Sequence, residues 1–130
     1  MKAIKNIIKA VIFDMDGTII RSEHIWLNAT KQLLINYGMI TFNTEQEKFL
    51  NDLSGIGLKQ CVEAMKVKFN LQADIEKLVN EVKELAISSF KNHAFFIEGF
   101  PTFHEKLHKN GIKSSIATNS DQESLTRLSE

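Results

Sequence analysis

The sequence predicts an α/β protein: a partial Rossmann-like parallel sheet core interrupted by an inserted helical bundle. Three observations carry that prediction. An unbroken apolar run, "AVIF" at residues 10–13, ends abruptly in two aspartates, and a strand covered on both faces reads this way. A long stretch without proline then shows apolar residues at helical spacing. Finally "GIKSSIATNS" returns to a short apolar segment that again ends in small polar residues.

In chain order, residues 8–13 are predicted as a strand. Asp14 and Asp16 must lie where it ends and the chain turns, because a strand buried on both faces has no room for carboxylates; Gly17 supplies backbone freedom there and Thr18 a hydroxyl. Ser22 reads as the N-cap of a helix with Ile25, Leu33, Leu34 and Tyr37 among its apolar positions and a stop at Gly38. "TEQEKFLNDL" reads as a second helix capped by Thr44, with Glu47 as its box partner. After "SGIG", a third helix is expected over residues 58–69, with Leu58, Val62, Met65 and Phe69 in register. A fourth is expected from about Asp74 to Lys91, striped by Ile75, Leu78, Val79, Val82, Leu85 and Phe90. Pro101 opens a fifth helix that Gly111 stops, and residues 112–117 form the second strand. "SDQES" starts a last helix, with Ser120 as cap and Glu123 as partner. A strand, a helix and a returning strand make a parallel crossover, for which about a dozen residues suffice. The surplus is a lid-like subdomain. The expected organisation is therefore a core of residues 1–20 and 95–130, left incomplete, and a helical cap of residues 21–94.

Composition narrows the function. At 43% hydrophobic and 25% charged, 130 residues make one ordinary globular core, and a formal net charge of zero argues against nucleic acid or a membrane surface as partner. Cys61 is the one cysteine, so no intramolecular disulfide can form, which suits a cytoplasmic setting. The N-terminal stretch "MKAIKNIIKAVIFD" intersperses lysines and reads as neither signal peptide nor membrane span.

The chemistry lies at the strand ends. In open parallel sheets ligands sit at the carboxyl ends of the strands, and helix N-termini there favour anions. Two neighbouring carboxylates repel each other and any phosphate unless a hard divalent cation such as Mg²⁺ lies between them. That pattern predicts metal-assisted phosphoryl transfer. Asp14 attacks phosphorus, Asp16 protonates the leaving oxygen and then activates water, and Thr118 with the amide of Asn119 holds the phosphoryl oxygens.

"DMDGT" after an apolar strand, a helical insertion beginning just beyond it, and "IATNS" closing a second strand closely resemble the haloacid dehalogenase superfamily. The resemblance is strongest to its phosphatases and phosphomutases with a helical cap after the first motif, such as the sugar-phosphate and phosphoglycolate phosphatases, and it covers essentially the whole chain. It implies Asp14 as nucleophile, Asp16 as acid and base, the Asp14 side chain and the Asp16 carbonyl as Mg²⁺ ligands, and Thr118 as the phosphate-binding hydroxyl; Gly17 belongs to the same phosphate-binding turn. Asp16 also points to phosphate chemistry, since the true dehalogenases lack it. A small phosphorylated metabolite is the implied substrate.

The sequence departs from that pattern twice. Many members continue with two apolar residues and Asp-Ser-Glu, whereas Arg21-Ser22-Glu23 stands here, a change expected to bear on cap movement or substrate. Members also carry, on later strands, a lysine that pairs with the nucleophile and acidic residues that complete the Mg²⁺ site. With twelve residues after Thr118, those parts are expected to be missing. The expected consequences are a chain with little activity alone and either a complementing chain or self-association.

Rival readings attach to particular residues. Paired acids before Gly-Thr can mark a plain turn, but the second motif at the right place makes that reading weak. "HEKLH" at residues 104–108 fits a zinc-hydrolase pattern in which His104 and His108 share a helix face with Glu105 as base; Lys106 and the lack of a clear third ligand count against it. Phe103 and Leu107 would form that helix's core stripe and leave both histidines on a solvated face. Cys61 reads as a small core residue, and Trp26 as cap core that could line a pocket. Lys59, just after "SGIG", is the cap residue placed to reach a substrate, against the plainer reading of a solvated lysine.

Overall fold

The computed structural model describes residues 8–120 and 122–129, and these fall into two compact units. One comprises residues 8–21 and 95–118; the other comprises residues 22–94 and 119–129.

The first unit is built on a parallel pair. β1 (Ala10–Phe13) lies beside β4 (Lys113–Ile116) in the register Ala10↔Lys113 to Phe13↔Ile116. Partners in a parallel register share a face, so Phe13 and Ile116 lie on one side and Ile12 and Ser115 on the other. α5 (Phe100–Lys109) covers the first of these faces: Phe13 meets Phe100 and Phe103 edge to face, with ring centroids at 5.3 and 6.3 Å. On the opposite face Ile12 and Ser115 are both exposed among the described residues. Ile12 is 70% exposed in the middle of its strand. α5 starts from Gly99 at φ 82°, carries Pro101 in its first turn and ends at Gly111, φ 71°, where the Gly111 and Ile112 amides donate back to His108 and Leu107. Gly38 ends α1 (Glu23–Asn36) with the same two bonds, to Ile35 and Leu34.

The same unit contains a short antiparallel pair that the sequence reading did not foresee. β2 (Ile20–Arg21) and β3 (Phe95–Phe96) pair as Ile20↔Phe96 and Arg21↔Phe95. Two-residue strands leave no periodicity to read. They mark where the chain leaves for the helices and where it returns.

The second unit is a helical bundle of α1, α2 (Thr44–Asp52), α3 (Leu58–Phe69) and α4 (Ile75–His93). Its core is the predicted stripes: Leu33 and Leu34 from α1, Val62 and Met65 from α3, and Leu78 and Val82 from α4 are fully buried, and Ala86 and Phe90 continue the α4 row at four-residue steps. Cys61 is buried among them, as a small core residue.

Three local expectations are corrected. β1 begins at Ala10 rather than at residue 8. Asn43, not Thr44, caps α2: its side chain accepts from the Gln46 amide while Gln46 returns a bond to the Asn43 amide, which frees Glu47 to pair with Lys31 at 2.5 Å. The asparagine wins because its backbone is extended and its side chain reaches the third amide of the helix. On α5, Phe100 and His104 stack at 5.7 Å and His104 Nε2 lies 2.8 Å from Ser114 Oγ, so His104 engages β4 instead of solvent, while Phe103 is half exposed.

The chain's end also differs from the expected core boundary at residue 130. α6 (Gln122–Ser129) packs on α4 within the helical unit, and Glu123 pairs with Lys83. The residue at the start of this helix, 121, lies outside the described residues, and with it the expected capping by Ser120.

Candidate active site

The β1 exit is a tight helical turn that exposes Asp14 and buries Met15 beside it. Gly17, at φ 75°, donates to the Ile20 carbonyl at 2.8 Å, and the amides of Thr18, Ile19 and Ile20 all converge on the Met15 carbonyl at 2.9–3.2 Å. Met15 and Ile19 are buried, at 7% and 5% exposure, and anchor the turn from inside. Asp14 is left exposed and Asp16 half buried. Gly17 is required at its place: a positive φ is strained for any residue with a Cβ.

The parallel register fixes the counterpart. Phe13 pairs with Ile116, and the Ala117 amide continues the ladder by donating to the Phe13 carbonyl at 2.8 Å. Asp14 and Thr118 therefore leave the carboxyl ends of adjacent parallel strands, one and two residues beyond the last paired positions. One contact was not anticipated from the sequence. Thr18 Oγ1 donates to Asp14 Oδ2 at 3.5 Å, the outer limit of such a bond, across the four-residue spacing of the turn. That spacing, Asp-x-x-x-Thr within a single turn, was the signal available for it.

The remaining candidates lie in the helical unit. Asn119 directs its side chain away to the Gly55 carbonyl, at 3.0 Å, and so ties itself to the loop before α3. Lys59, at the second position of α3, is exposed. Trp26 is half buried on α1.

As a metal site, the β1 exit has the right donor chemistry. Carboxylate and carbonyl oxygens are the hard ligands that Mg²⁺ takes, and a site supplying few of them suits an ion that keeps several waters. Among the described residues no three His, Cys, Asp or Glu side chains gather into a cage. For the zinc pattern, His104 is engaged with Ser114 and Phe100, and Glu105 with Lys109 at 2.7 Å.

A parallel pair whose carboxyl ends carry two acids, glycine and threonine on one strand and threonine on the next, with helices inserted between the strands, is an α/β arrangement of the haloacid dehalogenase kind. The chain matches the haloacid dehalogenase-like hydrolase family over residues 11–130 and belongs to it. It is 28% identical over 121 residues to the phosphorylated carbohydrates phosphatase of Thermotoga maritima, a match that takes in 92% of this chain and 54% of that protein. Among solved structures it is similar to CbbY from Rhodobacter sphaeroides in complex with phosphate, at 19% identity and a TM-score of 0.74 over 94% of this chain and 56% of that one. It is also similar to a family IA HAD hydrolase from Entamoeba histolytica, at 22% identity and a TM-score of 0.74 over 92% of this chain and 53% of that one. The chain thus spans about half the length of the relatives it matches, and its α/β fold is partial relative to theirs.

Proposed function

We propose that the chain carries the nucleophile half of a Mg²⁺-dependent cytoplasmic phosphatase or phosphomutase acting on a small phosphorylated metabolite of the sugar-phosphate kind. The observation that carries this reading is the β1–β4 register, which brings Asp14 and Thr118 out of adjacent strand ends. The relatives support the substrate class: one is a phosphatase of phosphorylated carbohydrates and another holds phosphate.

In this reading an Asp14 oxygen attacks phosphorus as the bond to the leaving oxygen breaks, and Asp16 gives its proton to that oxygen. Asp16 then takes a proton from the water that attacks the phosphorylated Asp14 and releases phosphate. The Thr18 hydroxyl orients the Asp14 carboxylate. The Thr118 hydroxyl and the Asn119 amide hold the phosphoryl oxygens, Gly17 shapes the turn that lets phosphate approach, and Lys59 reaches toward the rest of the substrate. Bound Mg²⁺, held by the Asp14 carboxylate and the Asp16 carbonyl, supplies the positive charge that lets an anionic nucleophile approach an anionic phosphate.

A second reading has its own observation. Ile12 and Ile116 are 70% and 53% exposed on strands that a parallel fold covers on both faces, so the chain also fits a catalytically incomplete piece whose business is association, with a complementing chain or with itself. Hydrolysis of a generic aryl phosphate with Mg²⁺ separates the two. Little turnover is expected from the 130 residues alone, because each missing charge-stabilising group costs about a hundredfold or more. Adding the separately expressed C-terminal portion of a relative should raise it, and Asp14→Asn should abolish the gain. A gain that survives Asp14→Asn would refute the assigned nucleophile.

A further inference from the structure

The chain passes between its two units three times: after Arg21, before Phe95 and after Thr118. The first two passages are the paired strands β2 and β3. The third is one peptide bond beyond Thr118, and side chains of the segment from Asn119 onward are bound to the rest of the helical unit. Asn119 donates to the Gly55 carbonyl at 3.0 Å. Arg127 grips Glu84 with both guanidinium nitrogens, at 2.6 and 3.0 Å, and Lys83, whose side chain is only 18% exposed, faces Glu123 at 3.9 Å.

From this we infer that Asn119 and α6 form an ion-paired strap by which the helical unit holds the chain immediately after Thr118. The charges are reciprocal. α4 contributes a base and an acid at neighbouring positions 83 and 84, and α6 contributes an acid and a base four residues apart, hence on one helix face. Reversing α6 end for end would set Arg127 against Lys83 and Glu123 against Glu84, so the pattern selects one orientation as well as attraction. The forked Arg127–Glu84 geometry is the kind that keeps its value at a surface where single lysine pairs do not. The strap stands on contacts within the helical unit alone and does not depend on the proposed role of Thr118.

Amide hydrogen exchange on the full 130-residue chain tests it without any activity readout. Glu84→Ala and Arg127→Ala should each speed exchange of residues 122–129 about two- to tenfold, the range expected for a forked surface pair, with α2 amides unchanged. The double variant Glu84→Arg with Arg127→Glu should return exchange toward the parent rate. A salt series on the unaltered chain should reproduce the loosening with no substitution at all, since exposed pairs are screened. Unchanged exchange of residues 122–129 in both single variants, a double variant no slower than either single one, or indifference to salt would overturn the strap. Failure of Asp14→Asn to affect hydrolysis would overturn the phosphatase reading and leave the strap standing.

Discussion

Two side chains show how far surroundings change what a residue can do. Cys61 sits on α3 with its sulfur 3.8 Å from that of Met65, and burial pushes the thiol up to about 11. The thiolate, not the thiol, is the nucleophile, so Cys61 should react slowly with iodoacetamide at about pH 8 and quickly once unfolded. The linkage has a definite sign. Between pH 9 and about 11 the unfolded thiol has lost its proton and the folded one has kept it, so the burial of Cys61 should make urea stability fall as pH rises through that window. Cys61→Ala should flatten this part of the profile. At the β1 exit the contribution of one hydroxyl is at issue: if Thr18 orients Asp14, Thr18→Val should lower complemented hydrolysis while Thr18→Ser retains most of it. Equal activity in both variants would remove Thr18 from the site.

At the scale of an element, the start of α2 was the least legible feature. Asn43 and Thr44 are adjacent and both are good caps, so composition could not choose between them; the extended backbone at Asn43 and the paired bonds with Gln46 did. Asn43→Ala should therefore cost about 1 kcal/mol in chemical denaturation, and Thr44→Ala much less. The glycine stops were legible, because a left-handed residue after a helix is usually glycine, although α3 ends on Asn70 at φ 51°. Gly38 and Gly111 lie at φ 98° and 71° with nothing near the place where a Cβ would sit, so the cost of Gly38→Ala or Gly111→Ala is conformational and should be about 1 kcal/mol. The stripes of α1, α3 and α4 were readable for a similar reason: periodicity is repeated over many residues, and α4 alone buries Leu78, Val82, Ala86 and Phe90 along one row. Val82→Ala should cost about 1–3 kcal/mol with the cavity it leaves.

Over the whole molecule, the two units differ in how fully they are covered. The helical unit buries a row of side chains completely and leaves Ile40 and Val67 exposed at its surface, whereas the strand unit leaves Ile12 and Ile116 exposed on its strands, with Phe95 and Phe96 at 65% and 61%. Two-stranded sheets are marginal in water and open strand edges invite pairing, so the chain alone should associate as its concentration rises. Sedimentation velocity checks this: Ile12→Ser should shift the distribution toward monomer, and an unaltered distribution would place the association elsewhere.

What the amino-acid sequence determined by itself was local or repeated. The acid-rich turn after β1, the glycine stops, the helical stripes and the second strand with its polar end each rest on neighbours within a few residues, where steric and hydrogen-bonding preferences act without help from the rest of the chain. The turn that holds Asp14, Asp16 and Gly17 was legible for that reason. Only the tertiary structure decided which register joins β1 to β4, that the two passages into and out of the helices pair as β2 and β3, that His104 turns to Ser114, and that α6 belongs with α4. Each of these joins residues ten or more positions apart. Such contacts become favourable only after the loop between them has been closed, so their outcome depends on packing energies that no local pattern records.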